Sequence, residues 1–209
     1  MKEETNKLVL ASNNEGKIKE LREILESLSL KDMEIYSLKD FDEIGEIEEY
    51  GDTFEENARI KAETVSQKTG LLALADDSGL EVDVLDGRPG VYSARYAGKD
   101  ASDEENIKKL LGELKEVSFE DRKACFRCVI ALSHPKIDTR FVEGRCDGYI
   151  TEQKQGQQGF GYDPVFFCPA KDKSFGELEP EEKAVVSHRG LALKNLAPVL
   201  KETISNLRK

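Results

Sequence analysis

The sequence predicts an α/β fold, a central mixed sheet flanked by helices, and three observations carry that prediction. Short apolar runs alternate with segments of helical periodicity in the N-terminal third, as in βα units. Two long strand-like segments meet at a turn around His134-Pro135, which adds an antiparallel hairpin. No repeat, low-complexity run or Pro/Gly/Ser linker divides the chain, so residues 1–209 are expected to form one domain.

The first strand is Lys7-Leu8-Val9-Leu10-Ala11, followed by a polar loop from Ser12 to Lys17 and by Ile18, Leu21, Ile24, Leu25 and Leu28 at helical spacing. A second strand is expected near Glu34 to Leu38. Thr53 and Glu56 have the spacing of a capping box, so a helix should run from Phe54 to about Lys68. Leu71 to Ala75 reads as a short strand buried on both faces, ending at Asp76-Asp77; Leu80, Val82 and Val84 then alternate with acids, as in a separate half-exposed strand. Ser102 with Glu105 opens a helix reaching about Leu114, and the hairpin strands cover Ala124 to Ser133 and Thr139 to Thr151. Val165 to Cys168 is a further strand. Pro180 suits the first turn of a short helix, and Leu193, Leu196, Leu200, Ile204 and Leu207 mark a last helix that Pro198 should kink or delay.

A net charge of -11 argues against binding DNA or RNA as a polymer, because backbone affinity comes from many Lys and Arg contacts. No stretch has the length of a membrane span or a signal core, which points to the cytosol. Cys125 and Cys128 have a zinc-like spacing, but on a strand residues three apart face opposite ways; four reduced thiols suit a reducing compartment.

Five constellations could carry chemistry. Ser12, Asn13, Asn14, Glu15, Gly16 and Lys17 join a strand to a helix, where backbone N–H groups hold phosphate, although a helix-capping loop reads equally well. Asp76-Asp77-Ser78-Gly79 stands at a strand end; adjacent carboxylates repel unless a cation or donors offset them, and Mg²⁺ is the cation that oxygen ligands and phosphates favour. On the capped helix Glu56 sits where a capping box wants its acid, whereas Lys61 shares a side with Ala58, Ala62 and Val65 and must either snorkel or meet an anion. Gly159 to Pro164 sets aromatic rings between glycines, as a stacking face for a base or as a packed turn. Lys183, Ser187, His188 and Arg189 gather donors near the start of the last helix.

Together, Ser-Asn-Asn-Glu-Gly-Lys (12 to 17), Thr-Phe-Glu-Glu-Asn-Ala (53 to 58), Ala-Asp-Asp-Ser-Gly-Leu (75 to 80), Gly-Val-Tyr-Ser-Ala-Arg-Tyr (90 to 96), Gly-Phe-Gly-Tyr-Asp-Pro (159 to 164) and Ser-His-Arg-Gly (187 to 190) closely resemble the inosine triphosphate pyrophosphatase family, also called XTP/dITP diphosphatases. The resemblance covers nearly the whole chain. It implies hydrolysis of ITP, dITP and XTP to the monophosphate and pyrophosphate, in a homodimer whose subunits have two lobes with a cleft between them. It further implies that Ser12 to Lys17 bind the triphosphate, that Glu56 and Asp77 hold Mg²⁺, and that Asp77 is also the acid-base residue. Lys61 and Ser78 would line the phosphate site, Phe160, Gly161, Tyr162 and Asp163 would contact the nucleoside, and Lys183, His188 and Arg189 would complete the base pocket. Two local departures stand out: Gly156-Gln157-Gln158-Gly159 is less glycine-rich than in many relatives, and position 12 is Ser where Thr is common. A pyrophosphatase for pyrimidine or modified nucleotides and a non-hydrolysing nucleotide-binding module are the competing readings.

Overall fold

A computed structural model of the chain describes residues 6–12, 16–19, 22, 26, 33–45 and 47–208. Among the described residues, seven strands form one mixed sheet in the order β2-β1-β3-β4-β5-β6-β7. They are β1 (Lys7–Leu10), β2 (Glu34–Ser37), β3 (Leu72–Val82), β4 (Lys123–His134), β5 (Ile137–Ile150), β6 (Phe166–Cys168) and β7 (Lys173–Ser174). β1 runs parallel to both β2 and β3, pairing Leu8 with Ile35 and with Leu72. β6 is antiparallel to β5 and to β7. Four helices are labelled: α1 (Phe54–Thr69), α2 (Asp103–Glu113), α3 (Pro180–Val186) and α4 (His188–Leu207). The mixed α/β architecture is the expected one.

The chain divides into two compact units. The first comprises Met1–Asp77, Val129–Glu143 and Ala192–Lys209. Here α1 begins at the expected capping box, with Thr53 Oγ1 accepting from Glu56 N, and ends at Gly70 in the left-handed conformation (φ 71°). Its buried stripe of Phe54, Asn57, Ala58, Lys61, Ala62, Val65 and Ser66 mixes apolar and polar groups, and Ser66 Oγ meets Ser133 Oγ of β4 at 3.0 Å. On α4, Leu193, Leu196 and Leu200 are fully buried.

The second unit comprises Ser78–Cys128 and Gly144–Leu191. Its core joins Leu80 and Val82 of β3, Ile107 and Leu110 of α2, Phe126 of β4, and Phe166 and Phe175. The Phe126, Phe166 and Phe175 rings pack with centroids 4.7 to 5.9 Å apart.

Two expectations are corrected. Asp76-Asp77 does not end a strand: β3 continues through the pair to Val82. The backbone can stay extended there because each carboxylate finds its own cationic or amide partner, described below. The last helix, for its part, is not delayed by Pro198: it starts at His188 and includes the proline. Pro198 lies on the exposed side, where water can satisfy the carbonyl it leaves without a donor.

Candidate active site

The first unit holds a charged cluster around β3. Successive strand residues face opposite sides, and the two acids divide accordingly. Asp76, 3% exposed, pairs with Lys17 at 3.0 Å. Asp77, 7% exposed, accepts from Asn57 Nδ2 at 3.2 Å and from Lys61 Nζ at 3.4 Å. Asn57 and Lys61 are one helical turn apart on α1, so both reach the same carboxylate. Asn57 Oδ1 accepts from Gly51 N at 2.8 Å, which turns the amide so that its NH₂ faces Asp77. A Cβ at Gly51 would lie 2.6 Å from Glu56 Cβ, so this close approach needs glycine.

Lys61 meets anions rather than snorkelling. Its ammonium also donates to Glu49 Oε1 at 3.1 Å, which makes Glu49 a site residue that sequence reasoning missed. Only the pattern of an inward-facing lysine hinted at a partner, without saying where it lay. Among the described residues, Glu49, Asp76 and Asp77 thus face the ammonium groups of Lys17 and Lys61. Burial raises Asp77 above the ordinary carboxylate range; Lys61 and Lys17 pull it down, but Glu49 and Asp76 add repulsion. Burial also opposes the Lys61 charge, yet Asp77, Glu49 and Asp76 override it and raise its pKa. The two groups thus move up for different reasons: Asp77 because burial disfavours its charge, Lys61 because the carboxylates around it outweigh burial.

Glu56 is exposed at the start of α1, where its Oε2 accepts from Asp52 N (2.8 Å) and Thr53 N (3.1 Å). Ser12 lies two residues past the end of β1, its N–H bonded to Leu10 O, and Gly16 and Lys17 are helical. Asn13, Asn14 and Glu15 lie outside the described residues.

The second unit holds a cationic and aromatic cluster. Asp163, 3% exposed, accepts from Lys183 Nζ at 2.7 Å and from Phe160 N at 2.8 Å. Gly159 has φ +77°, and a Cβ there would stand 2.0 Å from Asp163 Oδ2. The Phe160 ring, 38% exposed, lies 5.1 Å from the Lys183 ammonium and 5.1 Å from the Arg189 guanidinium. Arg189 Nη2 donates to Ser78 Oγ at 2.9 Å, and His188 stacks on Phe126 at 4.6 Å. Gly161 N donates to Asp103 Oδ2, and Tyr162 is buried with its hydroxyl on Ser93 O. The α3–α4 junction is tight: a Cβ on Gly190 would come 1.7 Å from Ala184 O, and Ser187 Oγ accepts from Gly190 N. That junction sets Lys183 at the end of one helix and His188 and Arg189 at the start of the next.

The Ham1 family model matches residues 8–199. This chain belongs to the Ham1 family. A Ham1 relative from Bacillus licheniformis, named dITP/XTP pyrophosphatase, is 52% identical over 92% of this chain and 97% of its own length. One of the same name from Bacillus subtilis (strain 168) is 50% identical over 92% and 96%. Among solved structures, the Staphylococcus aureus Ham1 protein superposes with a TM-score of 0.86 at 42% identity, covering 94% of this chain and 99% of that one. A Ham1 protein from Coxiella burnetii gives 0.85 at 44% identity, over 94% and 98%.

Outside these clusters, the thiols of Cys125, Cys128, Cys146 and Cys168 are buried and form no disulfide. Burial pushes Cys125 up to about 12, and its Sγ lies 3.5 Å from Glu81 Oε2. Among the described residues no helix is long and apolar enough to cross a membrane.

Proposed function

We infer that this chain is a nucleoside triphosphate pyrophosphatase that hydrolyses dITP, ITP and XTP to the monophosphate and pyrophosphate. The observation that carries the reading is Asp77: a buried carboxylate of raised pKa, held by Asn57 and Lys61 beside Glu49 and Asp76. Its support is the Ham1 relatives named dITP/XTP pyrophosphatases.

The donor chemistry fits Mg²⁺, since the acids near Asp77 offer only carboxylate oxygens and Mg²⁺ commonly takes one or two of these together with water and phosphate oxygens. Among the described residues no three carboxylate, His or Cys side chains gather to hold a metal by themselves. Mg²⁺ would therefore take Asp77 with one further carboxylate, Glu56 or Glu49, and fill its shell with water and the substrate's phosphate oxygens. When bound, Mg²⁺ neutralises charge on the phosphates. Asp77 takes the proton of the water that attacks the α-phosphorus; the new O–P bond forms as the bond to pyrophosphate breaks. A raised pKa makes Asp77 a stronger base than an ordinary aspartate. Lys61 and Lys17 offset the charge gathering on the leaving pyrophosphate, and Ser12 to Gly16 supply the phosphate loop.

In the second unit, the exposed Phe160 ring offers a base its face, while Asp163 fixes Lys183 and the loop amides. Donors on His188, Arg189 and the loop match the 6-oxo group of hypoxanthine and xanthine. Adenine presents a 6-amino donor instead and would leave one of them without an acceptor. Ser78 completes the phosphate side.

We place the enzyme in the cytosol as a homodimer acting on free nucleotides, one pyrophosphatase domain per chain, in keeping with its acidic charge and reduced cysteines. Pyrophosphate release from dITP, ITP, XTP, dTTP and ATP with Mg²⁺ tests the reading. The deaminated purines should be turned over far faster; equal rates with ATP would overturn it, as would a preference for dTTP.

A further inference from the structure

The segment Gly90-Val91-Tyr92-Ser93-Ala94-Arg95-Tyr96 carries part of the resemblance but has no part in the chemistry above. It forms a 3-10 turn, Gly90–Arg95, in which Ser93 is buried and bonded in three directions. Ser93 Oγ accepts from Leu80 N at 2.9 Å and donates to Gly90 O at 2.6 Å. The Ser93 carbonyl accepts from the Tyr162 hydroxyl at 2.9 Å. The turn is pinned behind by buried Asn106 of α2, which accepts from Ala97 N at 2.7 Å and donates to Ala94 O at 3.2 Å.

Both ends of this brace reach functional groups. Leu80 follows Ser78, the partner of Arg189, by two residues on β3. Tyr162 directly precedes Asp163, which holds Lys183 and the Phe160 amide. Within the loop Asp163 holds the Phe160 amide and Asp103 holds the Gly161 amide, while Gly159 and Gly161 take positive φ; the Tyr162 hydroxyl is the bond that ties the loop to the turn at Ser93. Tyr162 is 4% exposed, so its phenol serves the loop rather than a bound nucleotide.

We propose that Ser93 and Tyr162 are positioning residues that fix the Phe160–Asp163 loop relative to Ser78 and so set the affinity for the nucleoside. The substrate in this inference rests on the pyrophosphatase reading; the anchoring itself does not.

Tyr162→Phe removes one hydroxyl and keeps the packed ring, and Ser93→Ala releases the Leu80 amide. Loss of one buried hydrogen bond should raise the KM of Tyr162→Phe for ITP about 3–10-fold, a larger change than its loss in kcat. Ser93→Ala should act more on kcat, since it loosens the strand beside Ser78. A purely structural role would lower the melting temperature of both variants without separating KM from kcat. Amide hydrogen exchange at residues 160–163 gives a readout independent of turnover and should quicken about tenfold in Tyr162→Phe. In an enzyme that turns over ITP, an unchanged KM in Tyr162→Phe overturns the inference. If the wild-type chain releases no pyrophosphate, the functional reading falls on its own, and unchanged exchange then overturns the anchoring.

Discussion

Asn57 donates to Asp77 Oδ2 over 3.2 Å while its own Oδ1 accepts from Gly51 N, so one fully buried amide joins the loop before α1 to the acid on β3. Asn57→Leu keeps the volume and removes both bonds. It should destabilise the fold by about 2–3 kcal/mol, because a buried N–H and a carboxylate oxygen each lose a partner. Turnover should fall with it. Chemical denaturation alongside initial rates checks this; wild-type values in both would remove Asn57 from the site.

Asp77→Asn separates catalysis from stability. The folded chain raises the Asp77 pKa, so its protonated form is favoured on folding. Its contribution is therefore most favourable below the unfolded value near about 3.9 and is lost as pH rises through the folded value. At pH 7 the charged carboxylate opposes folding, and the neutral amide should leave the melting temperature unchanged or higher. Turnover should drop by about a thousandfold or more for loss of the base. Retained turnover would take the acid-base role from Asp77.

Glu49 and Glu56 can be told apart by their demand for Mg²⁺. Glu49 shares Lys61 with Asp77, whereas Glu56 spends Oε2 on its helix cap. Glu49→Gln should raise the Mg²⁺ concentration for half-maximal rate by about tenfold, and Glu56→Gln by less, since Gln also serves in a capping box. Titrating Mg²⁺ into each variant decides between them, and the reverse order would make Glu56 the principal second ligand.

Gly159→Ala and Gly161→Ala form a matched pair. Both sites have positive φ, but a Cβ at 159 would strike Asp163 Oδ2, while at 161 nothing lies within 4 Å. The first substitution should disturb the Asp163–Lys183 pair and raise the KM for ITP several-fold. The second should cost only about 1 kcal/mol of backbone strain. Similar KM values for the two would argue against a part for the Asp163 carboxylate in base binding.

Much of the fold was legible because its signals are local. The Thr53–Glu56 and Ser102–Glu105 capping boxes, the apolar β1 run and a hairpin turn expected at His134-Pro135, found one residue on at Pro135 and Lys136, each depend on neighbours within a few residues. β3 was misread as two pieces, since adjacent acids look like a strand end until partners for them are known. Pro198 was expected to kink or delay the last helix, and the delay is ruled out because the helix already starts at His188.

By itself the sequence determined the α/β class, the starts of α1 and α2 and, through six motifs in register, many of the residues gathered into the two clusters, though not Glu49. Tertiary structure alone decided how those residues divide their work. Asp76 goes to Lys17 and Asp77 to Lys61 and Asn57; Glu49 joins Lys61 from 12 residues away, and Arg189 reaches Ser78 across 111. The physical reason is that a charge pair depends on distance in space and on burial. A strand pattern tells which side a carboxylate faces but not which ammonium waits there.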